Sequence, residues 1–304
     1  MAEKILITGG TGLIGTRLTE MLIDSGYEVA HLSRHTGSPT RYKTFRWDIK
    51  NHFIDDHAIS WADYIINLAG ASVSESKWTE ERKKEILSSR VDATTLLHDC
   101  LQNTKNHVKG FLSASAIGIY GDSGEQIVTE ESTYAHGFLS EVAQAWEKAA
   151  WKMHELSIRT VIFRIGLVLS DQGGALPQMA RPVKFMAGSP LGSGKQYMSW
   201  IHIDDLCRLF IKAIDEPQFA GVYNAVAPNP VTNEEFTKTL AEVMHRPLMM
   251  PKIPAFGLKL VLGEMSEVVL DSSRVSSAKV QNTGFTFEYA FIEEALESFY
   301  HQEV

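Results

Sequence analysis

The stretch Ile5-Leu6-Ile7-Thr8-Gly9-Gly10-Thr11-Gly12-Leu13-Ile14-Gly15 decides the fold of this chain. Its apolar run ends in glycines with the spacing Gly9-x-x-Gly12-x-x-Gly15, and from residue 16 to 23 the apolar positions recur at helical spacing. The pattern predicts a strand, a tight turn and a helix. Glycine is needed because the backbone must turn sharply, approach a pyrophosphate without an intervening side chain, and bring helix and strand into close contact.

A second apolar run, from Tyr27 to Leu32, completes a strand–helix–strand unit of the expected length. An ordinary glycine-rich turn would not need a strand before it, a helix after it and a second strand behind both. The order of elements therefore predicts a dinucleotide site, with the pyrophosphate on the free amides at the start of the helix. Its expected contacts are Gly9, Thr11, Gly12, Leu13, Ile14 and Gly15.

The composition is that of a soluble globular protein, with 304 residues of which 44% are hydrophobic and 22% charged. Lysine and arginine number 29 against 37 acids, a net charge of −8, so we expect no nucleic-acid partner and no anionic membrane partner. The chain shows no signal peptide and no apolar run of about 18 residues. Cys100 and Cys207 lack metal-ligand spacing, which predicts buried, reduced thiols in a cytoplasmic protein without a metal site.

The end of the second strand predicts which cofactor is bound. NAD-binding versions of this unit place a carboxylate there for the ribose 2′-hydroxyl, but this chain has Ser33-Arg34 and no acid. Arg34 can hold a 2′-phosphate in a fork of N–H donors, and Ser33 can add a hydroxyl. A solvated surface arginine is the alternative. We therefore expect NADP(H) rather than NAD(H).

Later strands place more small and polar residues at the same edge of the sheet. The run from Ala62 ends in Asn67-Leu68-Ala69-Gly70-Ala71, whose small residues let the backbone approach the cofactor. The other candidate contacts at strand ends are Asp48, Ser113 and Gly166. Asp48 either accepts a hydrogen bond from the adenine amino group or simply forms a turn.

The alternation of strands and helices sets the domain organisation. It predicts an α/β fold, a Rossmann-type doubly wound parallel sheet over residues 1–170 that is completed by 200–226. A smaller α+β substrate lobe is predicted for 171–199 and 227–304, with a crevice between the two parts. Residues 171–199 are rich in Gly, Pro and Met, and we expect them to form a mobile cover over the crevice.

With these motifs assembled, the chain resembles the extended short-chain dehydrogenase/reductases, the NAD-dependent epimerase/dehydratase family, over essentially its whole length. The matching pieces are Thr8 to Gly15, Asn67-Leu68-Ala69-Gly70, Ser113 to Gly121 and Ile201-His202-Ile203-Asp204-Asp205-Leu206. Leu191-Gly192-Ser193-Gly194-Lys195-Gln196 and Gly284-Phe285-Thr286-Phe287 resemble the atypical branch of YfcH-like epimerase-family proteins, sometimes labelled cell-division inhibitors. The resemblance implies that Ser33 and Arg34 hold the 2′-phosphate, that Leu68 and Ala69 line the cofactor, and that Glu85 and Arg90 reach it from the long helix after residue 79.

The catalytic residues of that superfamily are missing from this chain. Its chemistry rests on Tyr-x-x-x-Lys, and none of the nine tyrosines has a lysine four residues later. Phe138 and Val142 occupy the matching positions, or Leu139 and Ala143 if the register shifts by one residue, and Ala116 replaces the usual serine. The candidate replacements for the acid/base groups are His202, Lys195, Tyr120 and Ser115.

Two of these candidates have a second interpretation. A histidine titrates near neutral pH, which suits proton transfer, but one that lies between two isoleucines and before two carboxylates, as His202 does, is more often a packing residue, with Asp204 as the cap of the next helix. Lys195 could bind an anionic substrate instead of moving a proton.

The sequence therefore favours an NADP(H)-dependent oxidoreductase that acts on an unknown small molecule. The alternatives are a catalytically inert NADP(H)-sensing or regulatory protein and an unconventional nucleotide-sugar epimerase or dehydratase. A homodimer is one expected assembly.

Overall fold

The computed structural model describes residues 2–34 and 41–300, and a large, mostly parallel sheet forms its centre. The strands are β1 (Lys4–Thr8), β2 (Glu28–Ser33), β3 (Lys43–Asp48), β4 (Phe53–Ile54), β5 (Tyr64–Asn67), β6 (Gly110–Ala116), β7 (Ile127–Val128), β8 (Arg159–Ile165), β9 (Leu167–Leu169), β10 (Tyr197–Met198), β11 (Trp200–His202), β12 (Gly221–Ala225), β13 (Val231–Thr232) and β14 (Arg274–Val275). The α-helices are α1 (Leu13–Asp24), α2 (Asp56–Trp61), α3 (Glu80–Asn103), α4 (Phe138–Trp151), α5 (Ala175–Lys184), α6 (Ile203–Asp215), α7 (Asn233–Val243), α8 (Ala255–Leu262), α9 (Glu267–Leu270), α10 (Ala278–Gln281) and α11 (Ile292–Tyr300). Short 3₁₀ turns cover Ile117–Tyr120, Lys152–Leu156 and Gly263–Ser266.

The order of strands in the described part of the sheet is β12-β8-β6-β5-β1-β2-β3-β4. All neighbouring pairs are parallel except β3 with β4. The chain runs from β1 outward to β3 and then crosses back to β5 on the other side of β1. Ligands of open α/β sheets lie beyond the carboxyl ends of the strands at such a reversal, which here falls between β1 and β5. The predicted Rossmann-type α/β fold is confirmed.

Alternation along β1 shows how the sheet is buried on both faces. Ile5 and Ile7 pack into one apolar cluster with Leu18 of α1 and Leu206 of α6. Leu6 packs into a second cluster, on the opposite face, with residues of α3. Strands that are covered on both faces read as continuous apolar runs, which is why the sequence pattern predicted them well.

The residues after β8 build a smaller core of their own. Trp200 and Phe236 are fully buried in a cluster that α5, α7 and α11 share. The Thr232 side chain accepts the amide of Glu235, and the Glu235 side chain accepts the amide of Thr232, so that α7 begins with a complete capping box. Three pairs of short strands, β7 with β14, β9 with β11, and β10 with β13, connect this part of the chain to the loops at the sheet edge.

Three local expectations need correction. The apolar run from 159 to 169 is not one strand, since β8 ends at Ile165 and pairs with β6 and β12, whereas β9 begins at Leu167 and pairs with β11. The helix after His202 is capped by the His202 side chain and not by Asp204. Cys207 is buried as expected, but Cys100 is half-buried. In the ranges that the structure describes, none of the helices is long and apolar enough to cross a membrane.

Candidate functional site

The glycine turn after β1 is built by close backbone contacts. Gly9 has φ of +69°, and a Cβ on it would lie 2.9 Å from the carbonyl group of Leu68. A Cβ on Gly15 would lie 2.3 Å from the Gly9 oxygen, so α1 can start this close to the turn only with glycine. The N-cap residue of α1 is Gly12, which has no side chain that could accept the first helix amides. The amides of its first turn are therefore open to an anion.

His31, which the sequence analysis did not single out, packs directly against the glycine turn. His31 on β2 lies so close to Gly10 that a Cβ there would be 2.5 Å from the imidazole ring. Its Nε2 is 2.8 Å from the hydroxyl of Thr19, and burial lowers the pKa of His31. The neutral His31 ring therefore fixes how closely the glycine turn packs on β2. In the sequence, the only sign of this role was one polar residue in an otherwise apolar strand.

The loop after β5 is held beside the glycine turn by Thr8. Its hydroxyl donates to Asn67 Oδ1 at 2.7 Å and accepts from the amides of Leu68 and Ala69, both at 3.1 Å. Asn67 in turn donates to Ser113 Oγ at 3.4 Å. The predicted cofactor contacts at the ends of β1, β5 and β6 are therefore brought together by one buried hydrogen-bond network.

Arg90 reaches this loop from α3. A Cβ on Gly70 would lie 2.9 Å from the guanidinium carbon of Arg90, and that guanidinium lies 5.1 Å from the Trp146 ring centre. Within residues 2–34 and 41–300 no carboxylate pairs with Arg90, whose Nη1 donates to the Ile86 carbonyl at 2.9 Å. Burial, with a smaller effect of Arg82, lowers the pKa of Arg90 to about 10, so it is still charged at neutral pH. Arg90 is half-buried, and a partly desolvated cation without a counterion is costly unless an anion binds beside it.

Glu85, the other predicted contact on α3, is differently placed. It pairs with Arg82 at 2.7 Å on the exposed side of the helix, and Arg82 also pairs with Glu75 at 2.9 Å. Its role toward the cofactor stays a prediction.

The predicted 2′-phosphate corner lies at the end of β2. Ser33 is the last residue of this strand and Arg34 follows it, exposed to solvent. Arg46 on β3 is the neighbour of Ser33 in the parallel register, so a second guanidinium lies on the adjacent strand. Asp48, at the end of β3, accepts hydrogen bonds from the amide and the side chain of Asn51 at 3.1 and 2.8 Å. These bonds match the turn-forming alternative for Asp48.

The resemblance matches the superfamily's tyrosine to position 138, or to 139 if the register shifts by one residue, and both positions lie at the start of α4 and carry apolar side chains. Phe138 makes an edge-on contact with Trp78, with ring centres 4.9 Å apart. Leu139 packs on the turn after β6, since a Cβ on Gly118 would lie 3.3 Å from the Leu139 Cβ. Neither residue can transfer a proton.

A buried ion pair connects α4 with β8. Arg164 donates to both carboxylate oxygens of Glu147, at 2.8 and 2.9 Å, and Ser115 Oγ donates to the same carboxylate at 2.7 Å. Arg164 Nη1 also donates to the Tyr120 hydroxyl at 2.8 Å, which itself donates to Asn224 at 2.7 Å. Despite its burial, the pKa of Arg164 is raised by this pairing with Glu147.

The contacts of Ser115 and Tyr120 favour structural roles for both. The Ser115 proton is used in the bond to Glu147, and the Tyr120 hydroxyl already donates one hydrogen bond and accepts another. Burial raises the pKa of Tyr120 to about 12, although Arg164 works in the opposite direction. The Ser115 proton is therefore engaged with Glu147, and the raised pKa of Tyr120 does not suit acid/base catalysis at neutral pH.

His202 lies on the wall of a cleft of about 610 Å³ that also includes Thr11, Gly12 and Leu13 of the glycine turn. Its Nδ1 accepts the Asp204 amide at 3.0 Å, and its ring stacks on Tyr289 with centres 3.7 Å apart. Burial lowers the pKa of His202 to about 4, against the opposing effect of Asp204. The histidine is therefore a neutral helix cap and packing residue beside the cleft.

Lys195 is the remaining candidate, and its side chain is exposed on the loop before β10. The next residue, Gln196, is buried and donates to the carbonyls of Leu191 and Val269 at 3.0 and 3.1 Å. The loop is thus held in place while Lys195 points away from the core. Among the described residues, no group of three or more His, Cys, Asp or Glu side chains is arranged to hold a metal ion.

Comparison with known proteins gives the same fold and the same family. Residues 5–226 match the NAD dependent epimerase/dehydratase family, and residues 253–299 match a domain of unknown function, DUF1731. The chain is 40% identical over 295 residues to "Epimerase family protein YfhF" of Bacillus subtilis, covering 96% of each chain. It is 35% identical to a chloroplastic epimerase family protein, the SDR39U1 homolog of Arabidopsis thaliana, covering 96% of this chain and 85% of that protein.

A solved structure agrees closely over the whole chain. The human epimerase family protein SDR39U1 (isoform 2), crystallised with NADPH, superposes with a TM-score of 0.88 at 29% identity, covering 99% of this chain and 100% of that one. The chain therefore belongs to the NAD-dependent epimerase/dehydratase family.

Proposed function

We propose that this member of the NAD-dependent epimerase/dehydratase family binds NADP(H) between β1 and β5 and acts as an oxidoreductase on a small molecule. The observation that carries the proposal is Arg90, a half-buried cation without a carboxylate partner in the described part of the chain, directly against Gly70 in the loop after β5. The uncapped start of α1 adds a second place for negative charge on the other side of that loop. Both features suit a bound anionic cofactor.

The preference for NADP(H) rests on the corner at the end of β2. Arg34 is exposed and Arg46 lies on the neighbouring strand, so two cations flank the position of a 2′-phosphate. A carboxylate at this strand end would repel that phosphate, and none is present in the sequence at 33 or 34. The NADPH in the human relative is consistent with the same preference.

The protein residues would hold the cofactor without supplying the usual proton donor. A bound nicotinamide would supply or accept a hydride at the substrate carbon. Phe138 and Leu139 are apolar and move no proton, and His202 and Tyr120 are both held in states that suit packing rather than catalysis. We infer that the proton of the reaction comes from water or from Lys195. The fully buried thiol of Cys207 suits a reducing compartment such as the cytoplasm.

Calorimetric titration with NADPH and NADH tests the binding proposal. Arg34→Ala should weaken NADPH binding about tenfold or more and leave NADH binding unchanged, because a charge-assisted hydrogen bond contributes about 1.5–3 kcal/mol. Arg90→Met should weaken both cofactors, since Arg90 lies away from the 2′-phosphate corner. Arg246→Ala, an exposed arginine in the C-terminal part, is the matched control. Equal affinity of the wild type for NADH and NADPH would contradict the assignment of Arg34.

The absence of a proton donor at 138 and 139 also favours a second candidate function, an inert NADP(H) sensor. The two are separated by loading the protein with NADPH and following the absorbance of the reduced nicotinamide against a panel of carbonyl compounds and quinones. Turnover supports the oxidoreductase. No turnover, together with a difference in hydrogen exchange between the NADPH and NADP⁺ complexes, supports the sensor.

A further inference from the structure

Two segments of the C-terminal part of the chain lie side by side, the turn after α5 and the segment that leads into α8. A Cβ on Gly188 would lie 3.1 Å from the Leu248 Cδ2 atom. One residue further on, the Ser189 hydroxyl donates to the Pro251 carbonyl at 2.5 Å. The turn after α5 is therefore fixed against the segment before α8.

Both segments expose large apolar side chains. Phe185 and Met249 are 70% and 73% exposed, and Met186 and Met250 are each about half exposed. Met186 has φ of +57°, the left-handed conformation in which a helix usually ends with glycine or asparagine. A methionine in that position has neither a backbone preference nor core packing to account for it.

The helix that follows, α8, is apolar on every side and yet uncovered. Its eight residues include a single polar side chain, Lys259, and none of the eight is buried. Phe256 and Leu260 lie one turn apart on the same side as Lys259 and are 76% and 83% exposed. A helix that is apolar all round belongs in a protein core or in a membrane. Because the described chain buries none of its residues, α8 needs a contact outside this chain.

The charged side chains of these segments are all basic. Residues 172–203 and 243–263 contain no Asp or Glu, although the whole chain has 37 acids. The basic residues in the two ranges are Arg181, Lys184, Lys195, Arg246, Lys252 and Lys259.

Two of these six cations have an acidic neighbour from another part of the chain. Lys252 pairs with Glu234 at 2.7 Å. Lys259 acts on Asp271, whose pKa is nevertheless about 6 because partial burial and two other carboxylates raise it. The other four are exposed and pair with no carboxylate in residues 2–34 and 41–300. The uncompensated positive charge is therefore concentrated around the exposed apolar side chains at the end of α5 and before α8.

We propose that the turn after α5, residues 246–253 and α8 form a docking surface for an anionic lipid bilayer. The exposed Phe, Met and Leu side chains enter the boundary between headgroups and acyl chains, and the lysines and arginines contact lipid phosphates while their aliphatic stems stay in the apolar layer. At eight residues, α8 is too short to cross a bilayer and lies along its surface. We call these residues the lipid-docking surface.

The overall net charge of −8 predicts no anionic partner, but it is an average over the whole chain. Attraction to a charged surface falls off within about 8 Å at physiological ionic strength, so the charge next to the bilayer decides. A second protein would need acidic groups placed opposite the four unpaired cations. Anionic lipids supply negative charge without a fixed arrangement, and acyl chains accept apolar side chains in any arrangement.

Co-sedimentation of the full chain with lipid vesicles tests the proposal, with phosphatidylcholine alone and with phosphatidylcholine mixed with phosphatidylglycerol. The wild type should bind the mixed vesicles at least about tenfold more tightly, and added salt should weaken this binding. Lys184→Gln with Arg246→Gln should weaken it about tenfold or more, because each basic residue near an anionic surface contributes roughly a fivefold factor. Lys50→Gln with Lys105→Gln, two exposed lysines outside the lipid-docking surface, is the matched control.

A second variant tests the apolar contribution. Phe185→Ser with Met249→Ser should also weaken binding to the mixed vesicles about tenfold, because two large apolar side chains no longer enter the acyl region. Phe53→Ser, an exposed phenylalanine on β4 at the edge of the sheet, is its control. Circular dichroism and thermal unfolding show whether each variant is folded.

Three results would overturn the proposal. Equal binding to both kinds of vesicle would exclude anionic lipid as the partner, and so would binding that the folded Lys184/Arg246 variant leaves unchanged. Absence of vesicle binding by the wild type would exclude a bilayer altogether. If light scattering then shows a wild-type dimer that Phe185→Ser with Met249→Ser converts to a monomer, a second copy of the chain covers this surface instead. None of these results bears on NADPH binding, which is titrated separately.

Discussion

Glu147→Gln should destabilise the protein strongly. The substitution removes the negative charge of Glu147, and the positive charge of its partner Arg164 is buried where water cannot replace the lost carboxylate. Glu147 is 4% exposed and Arg164 is 1% exposed. The carboxylate accepts two hydrogen bonds from Arg164, at 2.8 and 2.9 Å, and one from Ser115 at 2.7 Å. Glutamine keeps the shape of the side chain but leaves Arg164 as a buried cation without its counterion.

The expected loss follows from measurements on comparable pairs. Removing one partner of a buried ion pair costs about 3–5 kcal/mol. Glutamine can still accept one bond through its amide oxygen, so we expect about 3 kcal/mol, the lower end of that range. At about 2–4 °C per kcal/mol, the melting temperature should fall by roughly 6–12 °C. Because Arg164 and Ser115 end neighbouring strands at the carboxyl edge of the sheet, the loss should appear in the whole domain and not in one loop.

Urea unfolding followed by circular dichroism is the assay, with Glu3→Gln as the matched control. Glu3 pairs with Lys109 at 2.6 Å on the surface, and exposed pairs contribute little to stability. The double variant Glu147→Met/Arg164→Met should recover much of the loss, since it removes both buried charges. A Glu147→Gln protein that unfolds at the same urea concentration as Glu3→Gln would refute the reasoning.

The remaining predictions concern the glycine turn and two titrating groups. Gly10→Ala should lower both stability and cofactor affinity, because the new Cβ would overlap the His31 ring at 2.5 Å, whereas Gly257→Ala in α8, with its nearest neighbour at 4.0 Å, should be tolerated in thermal unfolding. The imidazole of His202 should titrate in NMR with a pKa of about 4. Because this pKa lies below that of an unfolded histidine, the contribution of His202 to the free energy of unfolding should be lost as the pH falls from about 6.5 toward 4. An NMR midpoint near neutral pH would contradict the assignment of His202 as a neutral helix cap. The pKa of Asp271, about 6, lies above the value of an unfolded aspartate, so the free energy of unfolding should fall as the pH rises through about 4 to 6. Asp271→Asn should therefore raise the melting temperature at pH 7 more than at acid pH. Equal increases in melting temperature at both pH values would exclude the ionisation of Asp271 as the cause.

The sequence by itself determined the elements whose physics is local. The glycine spacing after β1 required a turn that only glycine can make, and the structure shows the reason in the contacts of Gly9 and Gly15. The apolar runs of β1 and β5 were readable because strands covered on both faces carry no polar alternation. The cap of α3 is local as well, since the Thr79 side chain accepts the amide of Arg82 only three residues later. The loss of Tyr-x-x-x-Lys needed no structure either.

Only the tertiary structure decided how distant polar residues pair. Glu147 and Arg164 are separated by a helix end and a strand, and nothing in the sequence around either residue indicates a partner. The same holds for His31 under Gly10, for the absence of a carboxylate beside Arg90 among the described residues, and for the ion pair between Lys83 and Glu264. Sequence patterns report which face of an element is buried, but the free energy of a buried charge depends on which groups the fold brings within a few ångströms of it. The predicted acid/base candidates His202 and Tyr120 were plausible as residue types, and it is their packing and hydrogen bonds that set their pKa values away from neutral.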